Sequence, residues 1–404
     1  MQRSSLVSAF VIAFLAGAHF AGAQKPRKEP HRPALIAGAD TNDARAYYAH
    51  GLSKIERDPE EAGDAFYWAM RINPTFADAY YARRCALLLT DRIRFQQYME
   101  DDRGTLRSDE IKRIDSLYYF SLTINPFMYR GLDARLFRAY LLQVGDDYAR
   151  RNNLGPGEVQ FAINRWLMDA SPSFKAWRAY GDGRFPDALR LYAEAIKDAK
   201  FKAELRADRG RLFFQVGEAD SALTELTQAV DELRKADKKD LVYVYESKAL
   251  LEHSIGLVQQ RLGNKPAAKE AFGRALQEDL SYFPAHVQLA YLALDGKDTT
   301  TALGEMDLAV QIRTDDPVLR YIYGYALATS GKYPEAEAQL RKAIEVDGAF
   351  AAPYHVLGLV LDGQAKGSEA LAQYRSFLAR ASQSDARRKE AEERVRELAI
   401  KDDR

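Results

Sequence analysis

Four stretches decide the fold once they are laid under one another: 263–279 GNKPAAKEAFGRALQED, 296–312 GKDTTTALGEMDLAVQI, 330–347 SGKYPEAEAQLRKAIEVD and 364–381 QAKGSEALAQYRSFLARA. Ala268, Ala302, Ala336 and Ala370 coincide, each 34 residues after the last. Four residues further on stand Phe272, Met306, Leu340 and Tyr374, and three beyond those Ala275, Ala309, Ala343 and Phe377. Spacing of i, i+4, i+7 puts these residues on one stripe of a helix. The same interval of 34 recurs upstream in the pairs Ile255-Gly256, Leu289-Ala290, Tyr323-Gly324 and Leu357-Gly358. Each unit therefore reads as a hairpin of a helix A, with a large residue followed by a small one, and a helix B, with Ala, large, Ala. Small residues matter because helices approach toward the lower end of the usual distance of about 8–10 Å only where no bulky side chain intervenes.

These residues resemble tetratricopeptide repeats of the secreted or periplasmic bacterial type, in period and in the Gly/Ala, aromatic, Ala pattern. The resemblance implies an all-α, right-handed solenoid of stacked helix hairpins and a protein- or peptide-binding role. Two further units fit on the N-terminal side, one with Gly210, Phe213, Ala222, Leu226 and Ala229, the other with Ala188, Tyr192 and Ala195. Ala188 to Ala222 is again 34, whereas Ala222 to Ala268 is 46, so an insertion of 12 is expected near the charged run RKADKKD from Arg234. The run Trp177 to Gly183 is short for a full helix A. Regular repeats are thus expected over 181–380 and degenerate ones over 41–180.

In the degenerate part, 58–76 DPEEAGDAFYWAMRINPTF supplies Ala62, Phe66, Ala69 and Pro74, echoed by Ile114, Tyr118, Ser121 and Pro126. Proline ends both helices because it cannot continue the hydrogen-bond ladder and disfavours helical backbone in the residue before it. Residues 128–172 are helical in pattern without a repeat register. At the other end, 381–404 is expected to be a capping helix, since a stack of hairpins leaves its last apolar face open. Ala391, Val395 and Leu398 give it one narrow apolar stripe.

The chain begins MQRSSLVSAFVIAFLAGAHFAGAQ, with Arg3, an apolar run to Phe20 and the small residues Ala21-Gly22-Ala23. That layout predicts a signal peptide over 1–23, cleaved before Gln24, and no stable membrane span afterwards. Residues 24–40, rich in proline and basic residues, read as a flexible tether. The sequence has 404 residues, one cysteine and no Asn-x-Ser/Thr sequon. A large exported chain held by burial alone, without disulfides, suits a bacterial periplasm or exterior.

Lys and Arg number 58 and Asp and Glu 58, a balance that argues against a surface for nucleic acid. HExxH, GxSxG, SxxK and EF-hand patterns are absent from the sequence. Gly358 to Ala365 has the glycine spacing of a phosphate loop but lacks its Lys and Ser/Thr, so neither nucleotide nor cofactor is expected. His253 and His355 are three repeats apart, too far to share a metal whose ligands lie about 2 Å from it. Cys85 reads as a small apolar helix residue. The expected function is therefore a non-catalytic scaffold for a protein or extended peptide. The alternatives are a structural spacer of a cell-envelope complex and an enzyme without a recognisable motif.

By the same resemblance, helix A lines an inner groove. The residues flanking the large-small pair are then the candidate site: His253, Gln260, Arg261, Gln288, Tyr291, Tyr321, Tyr325 and His355. Tyr291 and Tyr325 are 34 apart and should form a ladder. Tyrosine suits an extended peptide because it offers apolar area and a hydroxyl at low entropic cost. The Lys, Asn and Arg clamp of chaperone-binding relatives has no counterpart at these positions.

Overall fold

The computed structural model of the protein describes residues 29–100, 109–168, 170–237 and 247–402. The expected signal peptide, the start of the expected tether and most of the insertion after Arg234 lie outside the described residues. Every regular element among those described is a helix, and none of these helices is long and apolar enough to cross a membrane. Contacts divide the chain into two units, one built on Pro33–Glu278 and one on Asp279–Arg404. The division falls inside the regular repeats. Repeats touch mainly their neighbours, so a change of register at one end does not by itself mark a structural boundary.

The Pro33–Glu278 unit opens with α1 (Ala44–Lys54), α2 (Pro59–Ile72), α3 (Ala77–Leu89) and α4 (Arg92–Glu100). It continues with α5 (Asp109–Ile124), α6 (Leu132–Asn152), α7 (Pro156–Met168), α8 (Pro172–Gly181) and α9 (Phe185–Asp198). Then follow α10 (Ala203–Gln215), α11 (Ala219–Asp237), α12 (Lys248–Arg261) and α13 (Lys265–Glu278). Consecutive helices pack from α1 to α3 and again from α8 to α13, while α3 pairs with α5 and the unregistered α6 packs on α3, α4, α7 and α8. Helix α8 is a full helix A, reaching back from the short run at Trp177 to Pro172. Pro172 and the Ser171 hydroxyl, which accepts from Phe174 N at 3.3 Å, start it there. Of the expected tether, residues 33–40 carry structure: Leu35 packs against the cluster of Tyr47, Ala69 and Ala79, and Ala39 N closes a turn on Ile36 O at 3.1 Å.

The Asp279–Arg404 unit holds α14 (Phe283–Asp295), α15 (Thr299–Ile312), α16 (Pro317–Thr329), α17 (Tyr333–Val346), α18 (Ala352–Gly363), α19 (Gly367–Arg380) and α20 (Arg388–Asp402). Each packs on the next, and α16 also touches α18, the following helix A. Aspartates begin several helices: Asp298 accepts from Thr301 N at 3.1 Å, and Asp316 from Val318 N and Leu319 N at 3.0 and 3.1 Å. The final helix lays buried Ala391 and Leu398 on the last hairpin, closing its apolar face.

Steric fit between helices A and B holds the hairpins together. Ala222, Ala229, Ala268, Ala275, Ala290, Ala302, Ala309, Ala336, Ala343 and Ala370 are wholly buried. A Cβ on Gly256 would lie 2.3 Å from Phe272 Cε1, and one on Gly324 would lie 2.7 Å from Leu340 Cγ. Gly210 stands in the same relation to Leu226, Gly358 to Tyr374 and, in the degenerate part, Gly51 to Phe66. Hence the large residue four places after the first alanine of helix B fills the gap left by the small residue of helix A.

In the regular repeats the turn from A to B has one residue in the left-handed region, and it recurs at equivalent places. Gly183, Gly217 and Gly263 supply it in one unit, with φ of 74°, 90° and 78°. In the other it falls on Lys297, Gly331 and Ala365, with φ of 61°, 75° and 60°. Glycine adopts this conformation without the steric cost a Cβ imposes.

Candidate functional site

Helix A of each repeat in Asp279–Arg404 presents one large side chain directly after its small residue. Tyr291 follows Ala290, Tyr325 follows Gly324 and Leu359 follows Gly358. Their relative exposures are 41%, 50% and 38%, among the largest for apolar or aromatic residues on these helices. Ala290, Gly324 and Gly358 beside them are buried, so the exposure belongs to one row and not to a loosened helix. The sequence carried the signal for Leu359, 34 residues after Tyr325, but tyrosine was the chemistry sought and the leucine was missed.

Five of the eight expected groove residues, Gln288, Tyr291, Tyr321, Tyr325 and His355, share this unit, whereas His253, Gln260 and Arg261 belong to Pro33–Glu278. Tyr321 is half-buried, edge-on to Phe350 with ring centroids 5.4 Å apart. Burial pushes its hydroxyl pKa up, and the Arg387 guanidinium beside it works in the opposite direction. The Tyr291 hydroxyl is likewise pushed up, first by burial and then by neighbouring Tyr321. Tyr321 thus supports the base of the row while Tyr291 and Tyr325 face outward. Gln288 is half-buried.

The two histidines require a correction. His253 is 2% exposed and His355 4%, so neither lines an open groove. His253 packs on the Phe272 ring at 5.6 Å, and His355 lies between Tyr374 and Phe377 at 6.1 and 5.1 Å. Both stand three residues before the small residue of helix A, close to the aromatic side chains that fill its gap, which periodicity alone did not distinguish from the groove row. Burial drives the His253 pKa down to about 3. It also lowers that of His355, with the carboxylate of Glu390, 3.4 Å from Nε2, pulling the other way.

The capping segment places a ring of charge around His355. Arg387 grips Asp385 through two bonds of 2.9 and 2.7 Å, and Arg394 holds Asp362 at 2.8 and 2.7 Å. The Arg394–Asp362 pair fixes α20 to α18, and the Arg387–Asp385 pair is local to the segment before α20.

Cys85 is fully buried, and burial pushes its thiol pKa up to about 12, so it is a thiol and not a thiolate at neutral pH. Beside it, buried Arg84 pairs with Asp115 at 3.1 Å and Asp133 at 3.7 Å, an arrangement that ties α3 to α5 and α6. Among the described residues, no group of three or more His, Cys, Asp or Glu could hold a metal ion.

Residues 175–237 and 254–317 match the family model described as tetratricopeptide repeat, and the repeats in those stretches are supported as such. No curated protein matches the sequence. Among solved structures, YrrB, described as a TPR protein with an unusual peptide-binding site, is 21% identical over 49% of this chain and 95% of its own, with a TM-score of 0.39. The C-terminal part of a TPR repeat-containing protein from Cytophaga hutchinsonii is 14% identical over 50% of this chain and 77% of its own, at 0.42. MamA from Desulfovibrio magneticus RS-1 is 18% identical over 44% of this chain and 93% of its own, at 0.36.

Proposed function

We propose that the protein is a non-catalytic scaffold that binds a partner's extended chain along helices α14, α16 and α18, in an extracytoplasmic compartment. The observation that carries this reading is the row of exposed Tyr291, Tyr325 and Leu359 at equivalent repeat positions. Neighbouring helices lie about 8–10 Å apart, and an extended chain in the polyproline II conformation rises about 3.1 Å per residue with about three residues per turn. A peptide running across the row therefore meets it with every third side chain. Apolar or aromatic residues at i, i+3 and i+6 are the matching ligand. Absence of a net charge, with 58 residues of each sign, supports affinity that falls only weakly with salt. The apolar segment before Gln24 supports export, and the missing catalytic motifs support a binding role.

A photoactivatable residue at Tyr325, introduced in the native host, tests the reading. One discrete adduct is expected from this position. Equal labelling from the exposed Leu308 on helix B, or none from Tyr325, refutes it and favours a spacer role with contacts elsewhere.

A further inference from the structure

The segment between α5 and α6, Asn125-Pro126-Phe127-Met128-Tyr129-Arg130-Gly131, is not helical, and it lies on helices that follow it by roughly fifty to ninety residues. The Phe127 ring stacks on Phe214 with centroids 3.9 Å apart, within a cluster that includes Ala203, Ala207 and Leu226. Gln215 Nε2 donates to the Phe127 carbonyl at 2.7 Å. The amide of Arg130 donates to the Tyr180 hydroxyl at 3.1 Å, and the Tyr129 hydroxyl donates to the Gly181 carbonyl at 2.8 Å. Farther along, the Arg130 guanidinium pairs with Asp208 and donates to the Tyr118 hydroxyl at 2.9 Å. The host residues thus offer an aromatic slot, partners for backbone groups and a carboxylate for a basic side chain. Those are the elements by which a groove reads an extended chain.

The hosts also occupy one repeat position. Tyr180-Gly181 stand 34 residues before Phe214-Gln215, which stand 46 before Gln260-Arg261, the same interval that separates Ala222 from Ala268. Gln260 and Arg261, half-buried and exposed, were read from sequence as groove residues. The segment therefore sits on the preceding members of that row.

We infer that the face formed by α8 and α10 is a second peptide site, held in cis by Asn125–Gly131, and that an extended peptide of the order aromatic, any residue, aromatic, arginine competes for it. A segment joined to its own site by short connections acts at an effective concentration in the millimolar range. Free peptide thus meets a site already filled. This site is independent of the Tyr291–Leu359 row, and either reading can fail without the other.

The probe is a fluorescent synthetic peptide of residues 124–131, INPFMYRG, titrated against the full mature chain. The Phe127→Ala/Arg130→Ala variant, which empties the slot, is expected to bind one equivalent at least tenfold more tightly than the unaltered chain. Adding Asp208→Ala and Gln215→Ala should abolish that binding. A folded double variant that takes up no peptide, or an unaltered chain that binds it equally well, overturns the inference. Should the double variant not fold, hydrogen exchange on the unaltered chain decides. Millimolar peptide must speed exchange at Met128 to Gly131 while α8 and α10 stay protected, and unchanged exchange there overturns the proposal.

Discussion

The two units build the same hairpin and use its helix A differently. In Asp279–Arg404 the row after the small residue stands open, with Tyr291, Tyr325 and Leu359 facing solvent. In Pro33–Glu278 another stripe of helix A, the positions four and five after the small residue on α8 and α10, is covered by the chain's own Phe127 to Arg130. The contrast teaches that the repeat fixes the packing between helices but not the use of the exposed face. That use is decided by residues outside the repeat register: a seven-residue connection covers the face of α8 and α10, whereas in the other unit the segment before α20 reaches Tyr321 and His355 and leaves Tyr291, Tyr325 and Leu359 exposed.

The largest effect that sharpens this contrast is expected at Phe127. Phe127→Ala removes a buried ring from its stack on Phe214 and should cost about 3–5 kcal/mol in denaturant unfolding of its unit. A released segment cannot be released twice. Adding Arg130→Ala should therefore cost less than it does alone, and full additivity of the two would mark the segment as ordinary core.

A smaller effect follows from the equivalent histidines. The folded pKa of His253, about 3, lies below the unfolded value near 6.5, so the unfolded state takes up the proton first. Its contribution is complete above about pH 6.5 and is lost as the pH falls toward 3, the loss amounting to about 1 kcal/mol at pH 5.5. His253→Leu should flatten the melting temperature of Pro33–Glu278 across this window. His355, whose burial is opposed by Glu390, should give the same sign in the other unit. A curve unaltered by His253→Leu means that this histidine is not buried as described.

The smallest difference lies in the turns. Ala365 bears a φ of 60° where the equivalent turns of the unit before it use Gly183, Gly217 and Gly263. Ala365→Gly should raise stability by about 0.5–1 kcal/mol, because the relief of left-handed strain exceeds the added freedom of the unfolded chain. A lower melting temperature would break this part of the comparison.

Much of the fold was legible because steric rules write themselves at fixed intervals. Gly256 against Phe272 and Gly324 against Leu340 repeat one contact, and repetition made it visible. The cap was legible from Ala391 and Leu398 for the same reason, a single apolar stripe on a charged helix. The site was read less well. His253 and His355 share a helix with the groove residues, and periodicity did not say which side of the small residue points inward. The docked segment left no trace in the pattern, since Phe127 meets Gln215 across 88 residues and belongs to no repeat. Its signal lies in the geometry of tyrosine, glutamine and aspartate side chains that only the folded chain brings together.

The central claim is that Tyr291 and Tyr325 serve a partner and not the core. The most direct measurement titrates the partner recovered from the Tyr325 adduct against the Tyr291→Ala/Tyr325→Ala variant, with a thermal melt of the same sample. The account predicts binding weaker by about 2 kcal/mol, roughly thirtyfold, and a melting temperature almost unchanged. A variant that melts many degrees lower, or one that folds and binds as the unaltered chain does, contradicts it.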